Sequence, residues 1–345
     1  MANEKTLTRK EEHLRICLEE KVETSSTLFE SVVLKHEALP EFDYYKIDTS
    51  VSFLGKKFKF PLMIAACTGG IPKAEEINRA FAEAAQEKGI GMGFGSQRAM
   101  IENPEKINSY KVRDTAPDIF LAGNIGISQI KQFKTTQIQE AMDAIEADAL
   151  CVHLNPAQEF FQKDDERDVD FSNTYEALAN LCDTLSIPVI AKEVGNGISK
   201  ETSLKLKQAG VKAIDVGGAG GTSWVVVDSL RSGKNADEFK NWGIPTAASI
   251  LEAKEAELPL IATGGVRTGL DIAKSIALGA DLTGIALPFL KKYHDNGVKG
   301  LVEYMDQLED ELKAAMFFTG SEKVRELKKA NYVLLGKLRD WQMQI

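Results

Sequence analysis

Cysteine is scarce in this sequence, and its scarcity excludes two kinds of small scaffold. The 345 residues contain only four cysteines, Cys17, Cys67, Cys151 and Cys182, and no two of them form a C-x-x-C pair. A zinc ribbon or a disulfide framework needs closely spaced cysteines, so neither is expected. The cysteine content therefore favours a cytoplasmic protein in a reducing environment.

Long hydrophobic runs are also missing. No stretch reaches about 18 consecutive apolar residues, the length from which a membrane-spanning helix is predicted. The first ten residues include four charged ones and no apolar core, so no secretory signal peptide is expected. The sequence therefore predicts no membrane partner.

Positive charge is in deficit. The chain has 42 Lys+Arg against 51 Asp+Glu, a net charge of -9. A surface that neutralises nucleic-acid phosphates needs the opposite balance, so nucleic acid is not an expected partner. Hydrophobic residues make up 43% and charged residues 27% of the chain, which is ordinary for a folded protein with a sizeable core.

Eight short apolar runs are bounded by Gly, Asn or Pro, and each predicts a β-strand. None of them alternates apolar and polar residues, which is typical of strands buried on both faces of a parallel sheet. The runs are 62–66, 90–94, 119–122, 149–154, 188–192, 213–216, 259–263 and 282–286.

Segments with helical spacing of apolar residues alternate with these strands, at 74–88, 137–147, 173–185, 201–209 and 270–278. Most strand starts lie about 23 to 30 residues apart, the size of one βα unit, and eight such units close into a (β/α)8 TIM barrel. We expect one domain over 1–345: an N-terminal extension with a helix at 11–20 (1–60), barrel strands (61–290) and C-terminal helices (291–345). The alternative, a doubly wound sheet, normally carries a G-x-G-x-x-G fingerprint, and the sequence has none.

The residues that follow the strands are polar and rich in glycine. In a TIM barrel these residues build the active site, because the carboxyl ends of all the strands meet at one face. In strand order, the predicted ends are Cys67-Thr68-Gly69-Gly70, Gly95-Ser96-Gln97-Arg98, Gly123-Asn124, His153-Leu154-Asn155, Lys192-Glu193, Gly217 to Ser223, Gly264 to Gly269, and Ala286-Leu287.

Two of these ends suit a phosphate. Backbone N–H groups can approach a phosphate where no Cβ intervenes, and Gly220-Gly221-Thr222 and Gly264-Gly265 offer such backbone. Arg267 adds a positive charge. Glycines that only permit tight turns are the alternative interpretation.

Several side chains point to chemistry. Lys192 closes an apolar strand and is either a functional cation or a lysine that reaches solvent. Thr68, Ser96 and Asn124 follow three consecutive strands and suit the polar edge of a ring.

The segment after the fourth strand holds His153, Asn155, Gln158 and Glu159 within seven residues. A histidine and an asparagine alone often form a structural pair, but here a carboxylate follows that can bind Mg²⁺ together with substrate phosphate. The acidic stretch 163–170 is expected to be a solvated loop. The pair Arg9-Lys10, taken by itself, is also expected to be solvated.

Taken together, these motifs resemble one family over nearly the whole chain, the FMN-dependent type 2 isopentenyl-diphosphate delta-isomerases. The specific part of the resemblance lies in Ser96-Gln97-Arg98, in His153-Leu154-Asn155 with Gln158-Glu159, and in Arg9-Lys10. The glycine loops would be shared with other FMN barrels. Two departures are Cys67, where the family commonly has Met, and the lack of Pro-Glu-Gly after Gln162.

The resemblance implies a role for each matching residue. The residues expected to contact FMN are Thr68, Gly69, Gly70, Ser96, Asn124, Lys192, Thr222, Gly264, Gly265, Val266, Arg267, Ala286 and Leu287. Those expected to bind the substrate are Arg9, Lys10, Ser96, Gln97, Arg98 and Gln158. The expected catalytic residues are Gln158, His153 and Asn155, and Glu159 is the expected ligand of Mg²⁺.

The implied reaction interconverts isopentenyl diphosphate and dimethylallyl diphosphate in isoprenoid biosynthesis. It adds a proton at one carbon and removes another, so reduced flavin acts in proton transfer without net redox change. NADPH is the expected reductant and a homo-oligomer, tetramer or octamer, the expected assembly.

Two rival functions stay open at this point. An FMN oxidoreductase of small 2-hydroxy acids is expected to place a catalytic His and a substrate-binding Arg late in the barrel, and the late histidine here is His294. A nucleotide dehydrogenase is expected to carry a nucleophilic Cys in the sixth-strand loop, which has none. A flavin-storage protein without catalysis is the second rival, because a fold alone does not establish chemistry.

Overall fold

The computed structural model describes residues 2–345, with side chains from Arg9 onward. The first helix, α1 (Ala2–Glu19), begins nine residues before the predicted start at residue 11. Three short strands follow, β1 (Val32–Leu34), β2 (Val51–Phe53) and β3 (Lys56–Phe58). Strands β2 and β3 form an antiparallel hairpin in which Val51 pairs with Phe58.

All eight predicted barrel strands are present. They are β4 (Leu62–Ile64), β5 (Gly91–Gly93), β6 (Leu121–Gly126), β7 (Ala149–Leu154), β8 (Val189–Glu193), β9 (Ala213–Asp215), β10 (Leu260–Thr263) and β11 (Leu282–Ile285). Neighbours in sequence pair in parallel, and β11 pairs with β4 to close the barrel. Every residue of β6, β8 and β10 is buried, as the unbroken apolar runs predict. The (β/α)8 prediction is confirmed.

Helices surround the barrel. They are α2 (Pro72–Lys88), α3 (Arg98–Glu102), α4 (Thr135–Asp143), α5 (Pro156–Phe161), α6 (Thr174–Thr184), α7 (Lys200–Gln208), α8 (Trp224–Ser232), α9 (Thr246–Ala253), α10 (Gly269–Leu278), α11 (Leu287–Phe318), α12 (Val324–Leu327) and α13 (Gly336–Gln342). The five helices predicted between strands are all found. A last strand, β12 (Tyr332–Leu334), pairs antiparallel with β1 and so joins the two ends of the chain.

The ends of these helices follow local chemistry. Helix α10 starts at Gly269 because the Thr268 hydroxyl accepts a hydrogen bond from the Asp271 N–H, and the Asp271 carboxylate accepts one from the Thr268 N–H. Helix α2 ends at Gly89, which adopts a left-handed φ of 61°.

The amino-terminal end of the barrel is closed by aromatic side chains. Phe53 and Phe58 from the β2–β3 hairpin pack against Phe120, with ring centroids 6.0 and 5.8 Å from it. All three are buried. A ligand can therefore enter the barrel only from its carboxyl end.

The longest helix, α11, spans 32 residues and kinks at Gly297, whose φ is 63°. Charged residues such as Lys291, Lys292 and Glu303 interrupt its apolar sequence. Across residues 2–345, no helix is both long and apolar enough to cross a membrane.

Candidate active site

One pocket opens at the carboxyl end of the barrel, and residues following all eight barrel strands line it. It encloses about 1640 Å³ left free by protein atoms, open solvent at its mouth included. The sequence-predicted residues in its lining are Arg9, Lys10, Thr68, Gly69, Ser96, Arg98, Asn124, His153, Asn155, Gln158, Glu159, Lys192, Thr222, Gly264, Gly265, Arg267, Ala286 and Leu287.

Three predicted site residues lie outside that lining. The side chain of Gln97 is fully buried, and its Oε1 accepts a hydrogen bond from the Asn124 N–H at 2.8 Å. The Gly70 N–H donates to the Ser109 hydroxyl at 2.8 Å, and Val266 is buried in the core. The structure therefore places Gln97 in the wall behind the pocket, because its amide supports strand β6 at Asn124.

The two glycine loops pack directly against each other. A Cβ on Gly264 would lie 2.1 Å from the Gly218 carbonyl oxygen, and one on Gly221 would lie 2.5 Å from the Gly265 nitrogen. Gly264 and Gly265 also have φ values of 100° and 77°. The packing of the two loops against each other is therefore enough to require glycine at these positions. The same contact presents bare backbone to the pocket beside the amino terminus of α11, which suits a phosphate group.

Lys192 lies on β8, inside the barrel mouth, and is only 8% exposed. Its Nζ donates to the Glu193 carbonyl oxygen at 2.7 Å and lies 4.0 Å from Asp215 Oδ2. The other oxygen of Asp215 accepts from the Thr263 hydroxyl at 2.5 Å. Burial raises the pKa of Asp215, against the opposite effect of Lys192. The ammonium is thus fixed from behind and faces the pocket.

His153 is held in one orientation. The Asn124 amide nitrogen donates to the Phe94 carbonyl at 2.9 Å, so its oxygen is the atom that meets His153 Nδ1 at 2.7 Å. Nδ1 therefore carries the proton and Nε2 keeps its lone pair. Burial, then the charges of Lys192 and Arg9, lower the pKa of His153 to about 3, so the ring is neutral.

Asn155, Gln158 and Glu159 form a connected group on and before α5. The Asn155 amide nitrogen donates to Gln158 Oε1 and to Glu159 Oε1, both at 3.1 Å. Glu159 Oε2 accepts from the Asp168 N–H at 2.8 Å. Burial raises the pKa of Glu159.

This group offers limited but suitable chemistry for Mg²⁺. Among the residues from 9 onward, no cluster of three or more His, Cys, Asp or Glu side chains could hold a metal. Glu159 has spare lone pairs, and the buried Asn155 Oδ1 has no hydrogen-bond partner within the described structure. Mg²⁺ often binds one carboxylate and takes its other oxygens from water and substrate phosphates, so these residues fit it.

Arg9 and Lys10 on α1 reach into the pocket, and their hydrogen bonds to other described residues all go to neutral groups. Arg9 donates to Gln162 Oε1 at 3.1 Å. Lys10 Nζ donates to the Gly69 and Ser96 carbonyls and to the Tyr110 hydroxyl, the last two at 3.0 and 3.3 Å. Burial lowers the pKa of both side chains, that of Lys10 to about 7. Two cations without carboxylate partners among the described side chains make an anion site.

The other two predicted cations are already paired. Arg98 Nε donates to Glu102 Oε1 at 2.6 Å, and the Arg98 side chain is 32% exposed. Arg267 pairs with Glu23 while its NH1 group donates to the Val266 carbonyl. Their charge is therefore partly balanced by the protein itself.

A buried ionic network that the sequence motifs do not predict holds α1 over the pocket. Asp228 on α8 accepts from His13 at 2.8 Å and from the Gln158 amide at 3.0 Å. Burial alone would raise the pKa of Asp228, but His13, Gln158 and Arg231 together hold it below its usual value. The sequence signal for this network is a pair of charged residues, Asp228 and Arg231, three positions apart in the otherwise apolar helix 224–232.

Arg231 links three parts of the chain. It donates to Glu12 Oε2 at 2.7 Å, pairs with Glu166, and lies 3.5 Å from Asp228 Oδ1. Glu166 lines the pocket and its side chain is 12% exposed. The expectation that 163–170 is a solvated loop is therefore wrong for Glu166, because Arg231 draws its carboxylate inward.

The late histidine required by the 2-hydroxy-acid oxidoreductase alternative is not in the pocket. His294 lies on α11, exposed, and contacts Asp295 at 3.2 Å. His153 occupies the site instead, with the tautomer set by Asn124. The geometry thus lacks the histidine that this rival needs late in the barrel.

Comparison with known proteins adds independent information. The sequence model of the FMN-dependent dehydrogenase family matches residues 107–334. Proteins named isopentenyl-diphosphate delta-isomerase are 45% identical in Pyrococcus abyssi, 46% in Archaeoglobus fulgidus and 47% in Halobacterium salinarum. These matches cover 97–99% of this chain and 96–98% of the relatives.

Solved structures share the fold at low identity. A putative lactate oxidase from Pediococcus acidilactici matches with a TM-score of 0.68 and 18% identity over 97% of this chain and 94% of its own. A flavocytochrome b2 variant with benzoylformate matches with a TM-score of 0.69 and 19% identity over 91% and 79%. At such identity these neighbours support the barrel fold alone.

Proposed function

The chain belongs to the FMN-dependent type 2 isopentenyl-diphosphate delta-isomerases, and from that premise we propose how its pocket performs the interconversion of isopentenyl and dimethylallyl diphosphate. The observation that carries the proposal is the pair Arg9 and Lys10, two cations whose hydrogen bonds within residues 9–345 all end on neutral acceptors. They share one pocket with the buried cation Lys192. The site thus offers separate places for two anionic groups.

The flavin end is built from the barrel itself. Lys192, Thr68 and Asn124 would hold the ring, and the backbone of Gly264-Gly265 with the amino terminus of α11 would hold the phosphate. When bound and reduced, FMN supplies an electron-rich ring that stabilises developing positive charge and exchanges a proton without net redox change. Lys192 favours negative charge beside it.

The diphosphate end is closed by α1. Among the described residues, neither Arg9 nor Lys10 forms an ion pair with a carboxylate. Lys10 Nζ donates to the Ser96 carbonyl, and Arg98 also lines the pocket. Charge-assisted hydrogen bonds to phosphate oxygens are stronger than those to neutral acceptors. We therefore assign these four residues to the diphosphate.

Near the isoprene carbons of the substrate, the protein fixes the orientation of the Gln158 side chain. Gln158 is oriented at both ends, its nitrogen on Asp228 and its oxygen on Asn155. An amide is a poor acid or base, so Gln158, held by the ionised Asp228 behind it, would orient the isoprene unit and not transfer a proton. His153 stays neutral, so it accepts a hydrogen bond through Nε2 and does not act as an acid.

The finer elements of the proposal extend the family resemblance. Glu159, assisted by Asn155 Oδ1, would bind Mg²⁺ between the protein and the diphosphate. NADPH would bring the flavin to its reduced state. We also propose one domain over 1–345, cytoplasmic, in a tetramer or octamer.

One experiment tests the reaction type. The holoenzyme is reduced once under anaerobic conditions, freed of excess reductant and given excess isopentenyl diphosphate in heavy water. The expected result is dimethylallyl diphosphate in large excess over flavin, carrying deuterium, with the flavin still reduced. Product limited to about one equivalent per flavin, or flavin oxidised in step with product, would instead indicate an oxidoreductase.

A further inference from the structure

Lys10 is held by a residue that neither the motifs nor the reaction point to. Tyr110 ends the short 3-10 helix Pro104–Tyr110, and its hydroxyl accepts a hydrogen bond from Lys10 Nζ at 3.3 Å. The ammonium also lies 5.9 Å from the centre of the Tyr110 ring. The side chain therefore approaches Lys10 with both its hydroxyl and its ring.

The direction of these hydrogen bonds is fixed by chemistry. An ammonium can only donate and a carbonyl can only accept, so Lys10 donates to Tyr110 while the Tyr110 hydroxyl donates to the Ser96 carbonyl at 2.8 Å. Tyr110 is completely buried, and burial raises its pKa, so the hydroxyl keeps its proton. Its oxygen always presents a neutral acceptor to Lys10.

The ring of Tyr110 has little freedom to move. A Cβ on Gly69 would lie 2.2 Å from the Tyr110 ring, so the ring fills the space that glycine leaves open. On its other side the ring packs edge-on against Phe94 at 5.8 Å. The hydroxyl is thus held at one place in the wall.

We propose that Tyr110 is a positioning residue for Lys10, the lysine assigned above to the substrate diphosphate. This inference rests on the proposed function. It holds the Lys10 ammonium at the pocket through an acceptor that carries no charge. A carboxylate in its place would hold Lys10 more strongly but would cancel the charge that the diphosphate needs. A phenol rigidly packed under Gly69 holds the lysine and leaves its charge available.

This arrangement predicts a pH signature. The charged groups that face Lys10 are Arg9 on its own helix, Lys106 on the 3-10 helix and Glu102 on α3. Burial, and then Arg9, lower the pKa of Lys10 to about 7. The Tyr110 oxygen favours the charged form, so its removal lowers that pKa further. Anion binding must then weaken at a lower pH than in the unchanged protein.

The test measures the affinity of the FMN-loaded enzyme for inorganic pyrophosphate by calorimetry from pH 6 to pH 9. The variants are Tyr110→Phe, Lys10→Met and the double variant. The matched control is Tyr293→Phe, at a half-buried tyrosine on α11 that does not line the pocket. Pyrophosphate titrates identically in every sample, so ratios between variants report on the protein. FMN affinity is measured alongside.

We expect Tyr110→Phe to weaken pyrophosphate binding about three- to tenfold at pH 8 and less at pH 6, because one hydrogen bond to a charged group is lost. In the Lys10→Met background the same change should have no effect. FMN affinity should not change. Tyr293→Phe should match the unchanged protein.

Three results would overturn the inference: equal pyrophosphate affinity with and without the Tyr110 hydroxyl, an equal loss in the Lys10→Met background, or an equal loss of FMN affinity. An equal loss of FMN affinity would mean that Tyr110 supports the residues that bind FMN. Turnover of isopentenyl diphosphate by the unchanged enzyme is scored separately. If that turnover is absent while the coupling of Tyr110 to Lys10 holds, the proposed function fails and this inference stands.

Discussion

The pocket has two cationic ends that the fold constructs differently. Lys192 lies on a barrel strand whose backbone pairs on both sides, with His153 of β7 and Asp215 of β9. Arg9 and Lys10 lie on α1, outside the barrel, and their neighbours His13 and Glu12 attach that helix through side-chain bonds to Asp228 and Arg231. The first end is part of the sheet, whereas the second is docked onto it.

Their electrostatic surroundings differ in the same sense. Lys192 has a buried carboxylate 4.0 Å away, whereas Lys10 has two carbonyls and a phenol. A cation that is permanently opposed by an acid suits a cofactor that stays bound. A cation held by neutral groups suits an anion that must enter and leave, because the ligand supplies the missing charge.

We expect the largest effect from the double variant Arg9→Ala/Lys10→Ala, which removes both cations that α1 contributes to the pocket. Each charge-assisted bond contributes about 1.5–3 kcal/mol, so kcat/KM for isopentenyl diphosphate should fall by about 10²–10⁴, mainly through KM. FMN content should stay unchanged. Steady-state kinetics and flavin absorbance check both, and a normal KM would place the diphosphate elsewhere.

Lys192→Met removes the cation at the end of the pocket that is built on strand β8. Removing a preorganised charge should lower kcat by about 10²–10³. The flavin's reduction potential should fall by about 30–60 mV, since 30 mV is about 1.4 kcal/mol for two electrons. Pyrophosphate affinity should not change. Lys207→Met, at a surface pair with Glu257, is the control, and an unchanged potential in Lys192→Met would contradict its role.

Glu159 lies between the two ends, and Glu159→Gln should separate metal binding from both. Turnover should fall about 10- to 100-fold and the Mg²⁺ concentration needed for half-maximal rate should rise, because an amide binds Mg²⁺ weakly. Flavin binding should persist. Glu257→Gln, at an exposed position, should behave as the unchanged protein, and an unaltered Mg²⁺ requirement would exclude Glu159 as the ligand.

Arg231→Met tests whether α1 can detach from the barrel while the FMN end of the pocket stays folded. Loss of this buried guanidinium leaves Glu12, Glu166 and Asp228 without a shared cation, which inside a rigid protein costs about 3–5 kcal/mol. Because α1 can detach to relieve that cost, KM should rise only about tenfold and trypsin should cleave faster near Arg15. The control is Lys207→Met, at the surface pair with Glu257. Global unfolding with loss of FMN would show that the two ends are not independent.

Arg98→Ala should have the smallest effect. Its guanidinium is partly exposed and already bonded to Glu102, so we expect KM to rise only about two- to fivefold. A rise as large as that of the Arg9 and Lys10 double variant would mean that Arg98, despite its carboxylate partner, binds the diphosphate as strongly. The same kinetic assay decides this.

Much of the barrel could be predicted from local patterns. The run 149–154 became β7 with the same limits, and the capped segment 270–278 became α10 with one added residue. These predictions succeed because a strand buried on both faces must be apolar throughout, and a helix start is set by residues within one turn. The carboxyl-end rule then collected Lys192, His153 and Asn124 in one pocket without further information.

Prediction failed where the partner of a residue lies far away in the chain. Gln97 follows a strand like Ser96, yet its amide turns into the wall to support Asn124. Glu166 reads as part of an acidic loop, but Arg231, 65 residues later, draws it inward. Local composition carries no signal for either contact.

Local sequence patterns were enough to predict the barrel and the face that carries the pocket, and the motifs were enough to predict the family. The arrangement of charge in the pocket follows from contacts between distant parts of the chain: Asp228 and Arg231 dock α1, Lys10 meets Tyr110 across 100 residues of sequence, and Glu102 partly neutralises Arg98. The reason is physical. Secondary structure depends on periodicities within about ten residues, whereas the energy of a charge depends on every group within several ångströms in space.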